Sequence, residues 1–156
     1  MKKILLIFLI FSFNFFISKN KDITKNQIYN PKANPQSDLS KAIKKAQKSN
    51  KNILLEVGGD WCPWCKKLNK LFTENKEIAS LLNKYFIVLK VNYSKENKNQ
   101  EFLSKYPKIE GYPHIFILDK NGLLLHSQNT GDLESGDHHD PEKVINFLNE
   151  WGKIKN

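Results

Sequence analysis

The apolar positions of this chain change period several times, and each change marks an element. In "SDLSKAIKKAQKSN", Leu39, Ala42, Ile43 and Ala46 recur at helical spacing, with Ser37 or Asp38 as cap. "NILLEV", Asn52 to Val57, is a short apolar run of strand length. Cys65, Leu68, Leu71 and Phe72 return to one helical face. "NKEIASLLNKYF" adds a second helix, capped by Asn75 and striped with Ile78, Leu81, Leu82 and Tyr85. "FIVLKV", Phe86 to Val91, is a strand directly behind that helix. A strand–helix–strand connection of this kind pairs its strands in parallel.

The second half is built differently. A helix is predicted over Asn99 to Tyr106, ending before Pro107. "HIFIL" (His114 to Leu118), the turn "DKNG" and "LLLHS" (Leu123 to Ser127) form an antiparallel hairpin. "TGDLESGDHHD" reads as a polar loop. Asp140 then caps a last helix that opens with Pro141 and is lined by Val144, Leu148 and Trp151. The order is α-β-α-β-α-β-β-α. It predicts an α/β domain whose central mixed sheet, a parallel pair plus an antiparallel hairpin, is flanked by helices.

The N-terminus has another pattern. Lys2 and Lys3 precede an almost unbroken apolar run from Ile4 to Ile17. The run falls short of the roughly 20 residues that span a bilayer. Residues 1–18 have the anatomy of a secretory signal peptide. Ser18 suits the last position of such a leader and Phe16 does not suit the one two before it. An uncleaved anchor is therefore the second reading. Residues 19–36, rich in Lys, Asn and Pro and without a period, read as a linker, leaving 37–156 as the domain. Either leader reading places the domain outside the cytoplasm, periplasmic or secreted, where disulfides persist.

Composition changes this picture little. The chain has 156 residues, and its 40% hydrophobic content suffices for one packed core. The net charge of +9 comes from lysine alone, since no arginine is present. The lysines are scattered among Asp, Glu and Asn, and bidentate reading of bases or phosphates favours arginine. Nucleic acid is accordingly not an expected partner, and the chain is read as a monomer.

The two cysteines carry the chemistry. Both lie in "GGDWCPWCKKL", Gly58 to Leu68, between a predicted strand and a predicted helix. Cys62 falls at the helix N-terminus, where unpaired N–H groups and the helix dipole favour thiolate. Thiolate is the species that attacks disulfides. Cys65 lies one turn on, where the two sulfurs can close a small ring. Cys62 is thus the candidate attacking group and Cys65 the resolving one. A zinc site is the first competitor. It needs further ligands, for which only His138 and His139 offer themselves, and no metal is expected. A purely structural disulfide is the second, but so short a loop constrains the unfolded chain little.

"WCPWC" after an apolar strand resembles the active site of the thioredoxin superfamily. Glu56, six residues before Cys62, falls where that family keeps a buried acid. "LKVN" resembles the strand whose lysine faces the acid, which maps that role onto Lys90. "GYPHIFILDKNG" resembles the segment with a cis-proline against the cysteines, which maps onto Pro113. The likeness extends over roughly Ser37 to Trp151, and is nearest to secreted single-domain members.

The resemblance implies a thiol–disulfide oxidoreductase that acts on protein disulfides and needs no cofactor beyond its two cysteines. Reduction is the slightly favoured direction, with oxidase or isomerase action the alternative. A membrane electron donor or acceptor is the implied redox partner. A non-catalytic binding or chaperone module is the reading from another class. Glu56 is expected to take the Cys65 proton, with Lys90 as its partner. Tyr112, before Pro113, is expected to offer its backbone to substrate. Trp61 and Trp64 read either as an apolar landing surface or, for Trp61, as packing against the loop. One departure stands out. Pro63 and Trp64 replace the Gly-Pro or Gly-His that other members place between the cysteines.

Overall fold

Strand β1 (Asn52–Gly58) is buried along its whole length, which explains why its sequence is apolar without alternation. The computed structural model, describing residues 27–154, places this strand in the middle of a four-stranded sheet. Strand β2 (Phe86–Asn92) pairs with it in parallel on one side. Strand β3 (His114–Leu118) pairs with it antiparallel on the other, and β4 (Leu124–Asn129) completes the hairpin. The order is β2-β1-β3-β4, the mixed α/β arrangement that the sequence pattern predicts.

Alternation along β1 divides the core. Ile53, Leu55 and Val57 face helix α1 (Pro35–Ser49), where Leu39, Ala42 and Ala46 meet them. Leu54 faces the opposite layer with Leu68 and Phe72 of α2 (Pro63–Glu74), Ile78 and Leu82 of α3 (Lys76–Tyr85), and Val144 and Leu148 of α5 (Pro141–Gly152). Each aliphatic side chain removed from water in these layers contributes about 1.5–3 kcal/mol. Glu56 shares the Leu54 parity, so its side chain enters the α2 layer.

Three expectations are corrected. The predicted linker, 19–36, is packed from residue 27 onward where it is described. Tyr29 is 1% exposed, and α1 begins at Pro35 with Asn34 as its cap, ahead of Ser37 and Asp38. The helix over Asn99–Tyr106 shrinks to α4 (Gln100–Leu103). The residue before a proline disfavours helix, and Tyr106 leaves the helix to stack on Phe116. The polar loop after β4 is ordered: a 3-10 turn (Thr130–Leu133) leads into a small hairpin of β5 (Glu134–Ser135) and β6 (His138–His139). The expected leader, 1–18, lies outside the described residues. No helix among those described is long and apolar enough to cross a membrane.

Candidate active site

Helix α2 starts at the cysteine pair for local reasons. A residue that precedes proline is pushed toward extended backbone, and proline suits the first helical position. Cys62 has φ −91° and ψ 114° and is the N-cap, followed by Pro63. Its Sγ accepts the Cys65 N–H at 3.1 Å, the role a serine or aspartate oxygen plays in most caps. The two sulfurs form a disulfide with a Cα–Cα separation of 5.3 Å. Cys65 is wholly buried, and Cys62 is 3% exposed.

The Tyr112–Pro113 peptide bond is cis. The Tyr112 carbonyl oxygen lies 3.5 Å from Cys62 Sγ. The Tyr112 ring stacks on Tyr93 at 4.6 Å and takes the edge of Trp61 at 5.8 Å. Burial, then Tyr93, pushes its phenol pKa up. Trp61 is 54% exposed, while its indole N–H donates to the Tyr93 carbonyl at 2.6 Å. It therefore presents a fixed aromatic surface beside Cys62. The packing reading of Trp61 describes its bond to Tyr93, and its exposed face leaves the landing-surface reading as a proposal.

Beneath the cysteines lies a buried charge. Glu56 is completely buried, and Lys90 donates to its Oε2 at 2.8 Å. The two residues are direct partners in the β1–β2 register, so parallel pairing puts them side by side. The second oxygen, Oε1, accepts from the Tyr29 hydroxyl. Burial, and then the Glu56 charge, push the Tyr29 phenol far above its ordinary pKa. It stays protonated and donates. Tyr29 clusters with Cys62 and Cys65, and the Lys90 ammonium lies 5.2 Å from its ring centre.

On the far side of α2, Trp64 packs edge-on against His139 at 5.3 Å, with the Lys67 ammonium 4.5 Å over its ring. Lys67 also donates to the Asp137 carbonyl. Helix α2 is thereby tied to the β5–β6 hairpin. His139 is 3% exposed, so the Gly136–Asp140 segment is not merely a solvated loop. Burial, then Lys67 and His138, lower the His139 pKa to about 4.

Comparison with known proteins agrees with this geometry. The model of a family described as thioredoxin-like matches residues 34–120, and the chain belongs to that family. A disulfide bond reductase, DsbH, of Chlamydia pneumoniae is 26% identical over 55% of this chain and 57% of its own length. The thiol:disulfide interchange protein DsbD of Actinobacillus pleuropneumoniae serotype 5b is 28% identical over 64% of this chain. Only 16% of that longer protein is covered. Among solved structures, a disulphide isomerase from Xylella fastidiosa Temecula1 superposes with a TM-score of 0.71 at 23% identity. That alignment covers 81% of this chain and 97% of the other, and shows a shared fold.

The residues singled out in the sequence converge on one end of the sheet. Glu56 and Lys90 lie below the disulfide, Trp61, Tyr112 and Pro113 flank Cys62, and Trp64 faces away toward His139. Two residues were missed. Tyr29 sits in the stretch predicted as linker, where "IY" is the one adjacent apolar pair. Asp60, inside the quoted motif, accepts from the Ile28 and Tyr29 N–H groups at 3.1 and 3.2 Å.

Proposed function

We propose that this protein is a thiol–disulfide oxidoreductase that acts on protein disulfides through Cys62 and Cys65. The reading is carried by one observation: the bonded Cys62 sulfur caps α2 while its partner sulfur is buried in the layer of Glu56. In the reducing direction, the Cys62 thiolate attacks a substrate disulfide. A mixed disulfide forms and one substrate thiolate leaves. Cys65 gives up its proton, and its thiolate attacks Cys62 Sγ. The Cys62–Cys65 bond closes and the second substrate sulfur leaves with the electron pair. The substrate gains two electrons and the protein loses two. No bound cofactor is required.

Glu56 takes the Cys65 proton, and Lys90 holds the carboxylate in place. Trp61, Tyr112 and Pro113 form the surface that receives substrate, and Trp64 holds the far wall. Reduction is the favoured direction, in keeping with the reductase among the relatives. It needs a membrane electron donor for re-reduction. The apolar leader and the redox-active pair together point to a periplasmic or secreted setting. Oxidation or isomerisation uses the same chemistry in other directions.

Insulin reduction followed by turbidity tests the reading, with Cys62→Ser as control. Activity above that control is expected. Equal traces would leave only a binding module. Equilibration of the pair against glutathione fixes direction: a potential near roughly −270 mV marks a reductant, and one near roughly −120 mV an oxidant.

A further inference from the structure

The segment before α1 supplies a group to the site. Its backbone is latched at both ends. Asp60, next to the cysteine motif, accepts from Ile28 and Tyr29, and the Asn97 amide donates to the Pro31 carbonyl at 2.9 Å. Between these latches the Tyr29 side chain points inward and is fully covered. A Cβ built on Gly58 would lie 2.6 Å from Cys65 Sγ and 2.7 Å from Tyr29 Oη. Sulfur and hydroxyl therefore both crowd the one position that a side chain at residue 58 would occupy, and glycine leaves room for both. The same hydroxyl is hydrogen-bonded to Glu56 Oε1. The phenol oxygen is thus bonded to the buried carboxylate and shares the space beside Gly58 with the resolving sulfur.

We propose that Tyr29 relays the Cys65 proton to Glu56. The inference rests on the oxidoreductase reading above. When Cys65 attacks the mixed disulfide, its S–H proton passes to Tyr29 Oη while the Tyr29 O–H proton passes to Glu56 Oε1. The products are a Cys65 thiolate and a protonated Glu56, with the phenol regenerated. The two transfers are concerted, because a buried phenol beside a carboxylate cannot exist as free phenolate. Lys90, on Oε2, keeps the carboxylate turned so that Oε1 faces Tyr29.

The test is the release of a disulfide-linked peptide, followed by acid quench and mass spectrometry from pH 6 to 8. Tyr29→Phe keeps the ring and removes the relay. Formation of the mixed disulfide should match wild type. Its resolution should slow about tenfold at pH 6, below the range for loss of a general base because Glu56 remains, and the gap should close as pH rises. Resolution at the wild-type rate, or a slowing equal at every pH, overturns the relay. A proton inventory on the wild-type protein needs no variant: a curved dependence on deuterium content supports two protons in flight, and a linear one overturns it. If Cys65→Ser traps no mixed disulfide, the oxidoreductase reading itself fails and the relay falls with it. If that trap forms and Tyr29→Phe behaves as wild type, only the relay fails.

Discussion

Glu56 and His139 lie on opposite sides of helix α2, both buried and both ionisable, in opposite surroundings. Glu56 has a cation on one oxygen and a hydroxyl on the other. His139 has no hydrogen-bond partner among the described residues for either ring nitrogen. Its nearest acid, Glu134, is 4.0 Å away and partly exposed. Lys67 and His138 oppose a positive ring. One side of the helix is arranged to pair a buried charged group and the other to keep a buried ring neutral. Ring contacts with His139 and the Lys67 ammonium hold Trp64 in place, whereas the proposed proton transfer beneath Cys65 requires paired polar groups.

The largest expected effect separates these two sides by function. Glu56→Gln keeps the shape and removes the proposed base, so turnover at neutral pH should fall by up to about 100-fold while attack by Cys62 persists. Accumulated mixed disulfide on a non-reducing gel is the measurement. Wild-type turnover from pH 6 to 8 would reduce Glu56 to a strand residue.

Lys90→Met comes next. It leaves Glu56 buried without its cation and should cost about 2 kcal/mol by urea denaturation. That is less than for a fully buried pair, because the lysine reaches solvent. Adding Glu56→Gln should recover most of the loss. A double variant as unstable as Lys90→Met would mean that lysine packing, not charge pairing, matters there.

Acid should act through two buried histidines, His139 on the far side of α2 and His114 on β3 against Phe116. His139 and His114 both have pKa values lowered to about 4, mainly by burial. Between the ordinary histidine range and pH 4 the unfolded chain binds more protons, so stability falls as pH drops through that window. A loss of about 1–2 kcal/mol per histidine by pH 4.5 should appear in urea midpoints. The smallest effect is His139→Phe, which should change stability at pH 7.5 by less than about 1 kcal/mol and remove its share of the acid slope. A large loss at pH 7.5 would show that the imidazole makes polar contacts that its buried nitrogens do not display.

The charged side was mostly legible in the sequence because its residues sit in regular elements. Parallel pairing of "NILLEV" with "FIVLKV" puts Glu56 opposite Lys90, and the helix start places Cys62. Tyr29 was not legible, because no period marks an irregular segment held by Asp60 and Asn97, contacts distant in sequence. His139 was hidden by composition. A two-residue strand suffices to turn His138 outward and His139 inward, and so short an alternation cannot be recognised within "GDHHD".

The cap of α2 carries a last consequence. Most helices begin on a group that nothing alters, whereas this one begins on an atom that, in the proposed reaction, changes in every cycle. A thiolate accepts the Cys65 N–H far better than a disulfide sulfur does, because charge strengthens the bond. Helix initiation and electron transfer therefore draw on one free energy. Whatever the reduced form gains in helix stability favours reduction of the pair by the same amount, shifting its potential toward oxidising values. The protection of the Cys65 amide against hydrogen exchange thus reports the redox state of the domain directly.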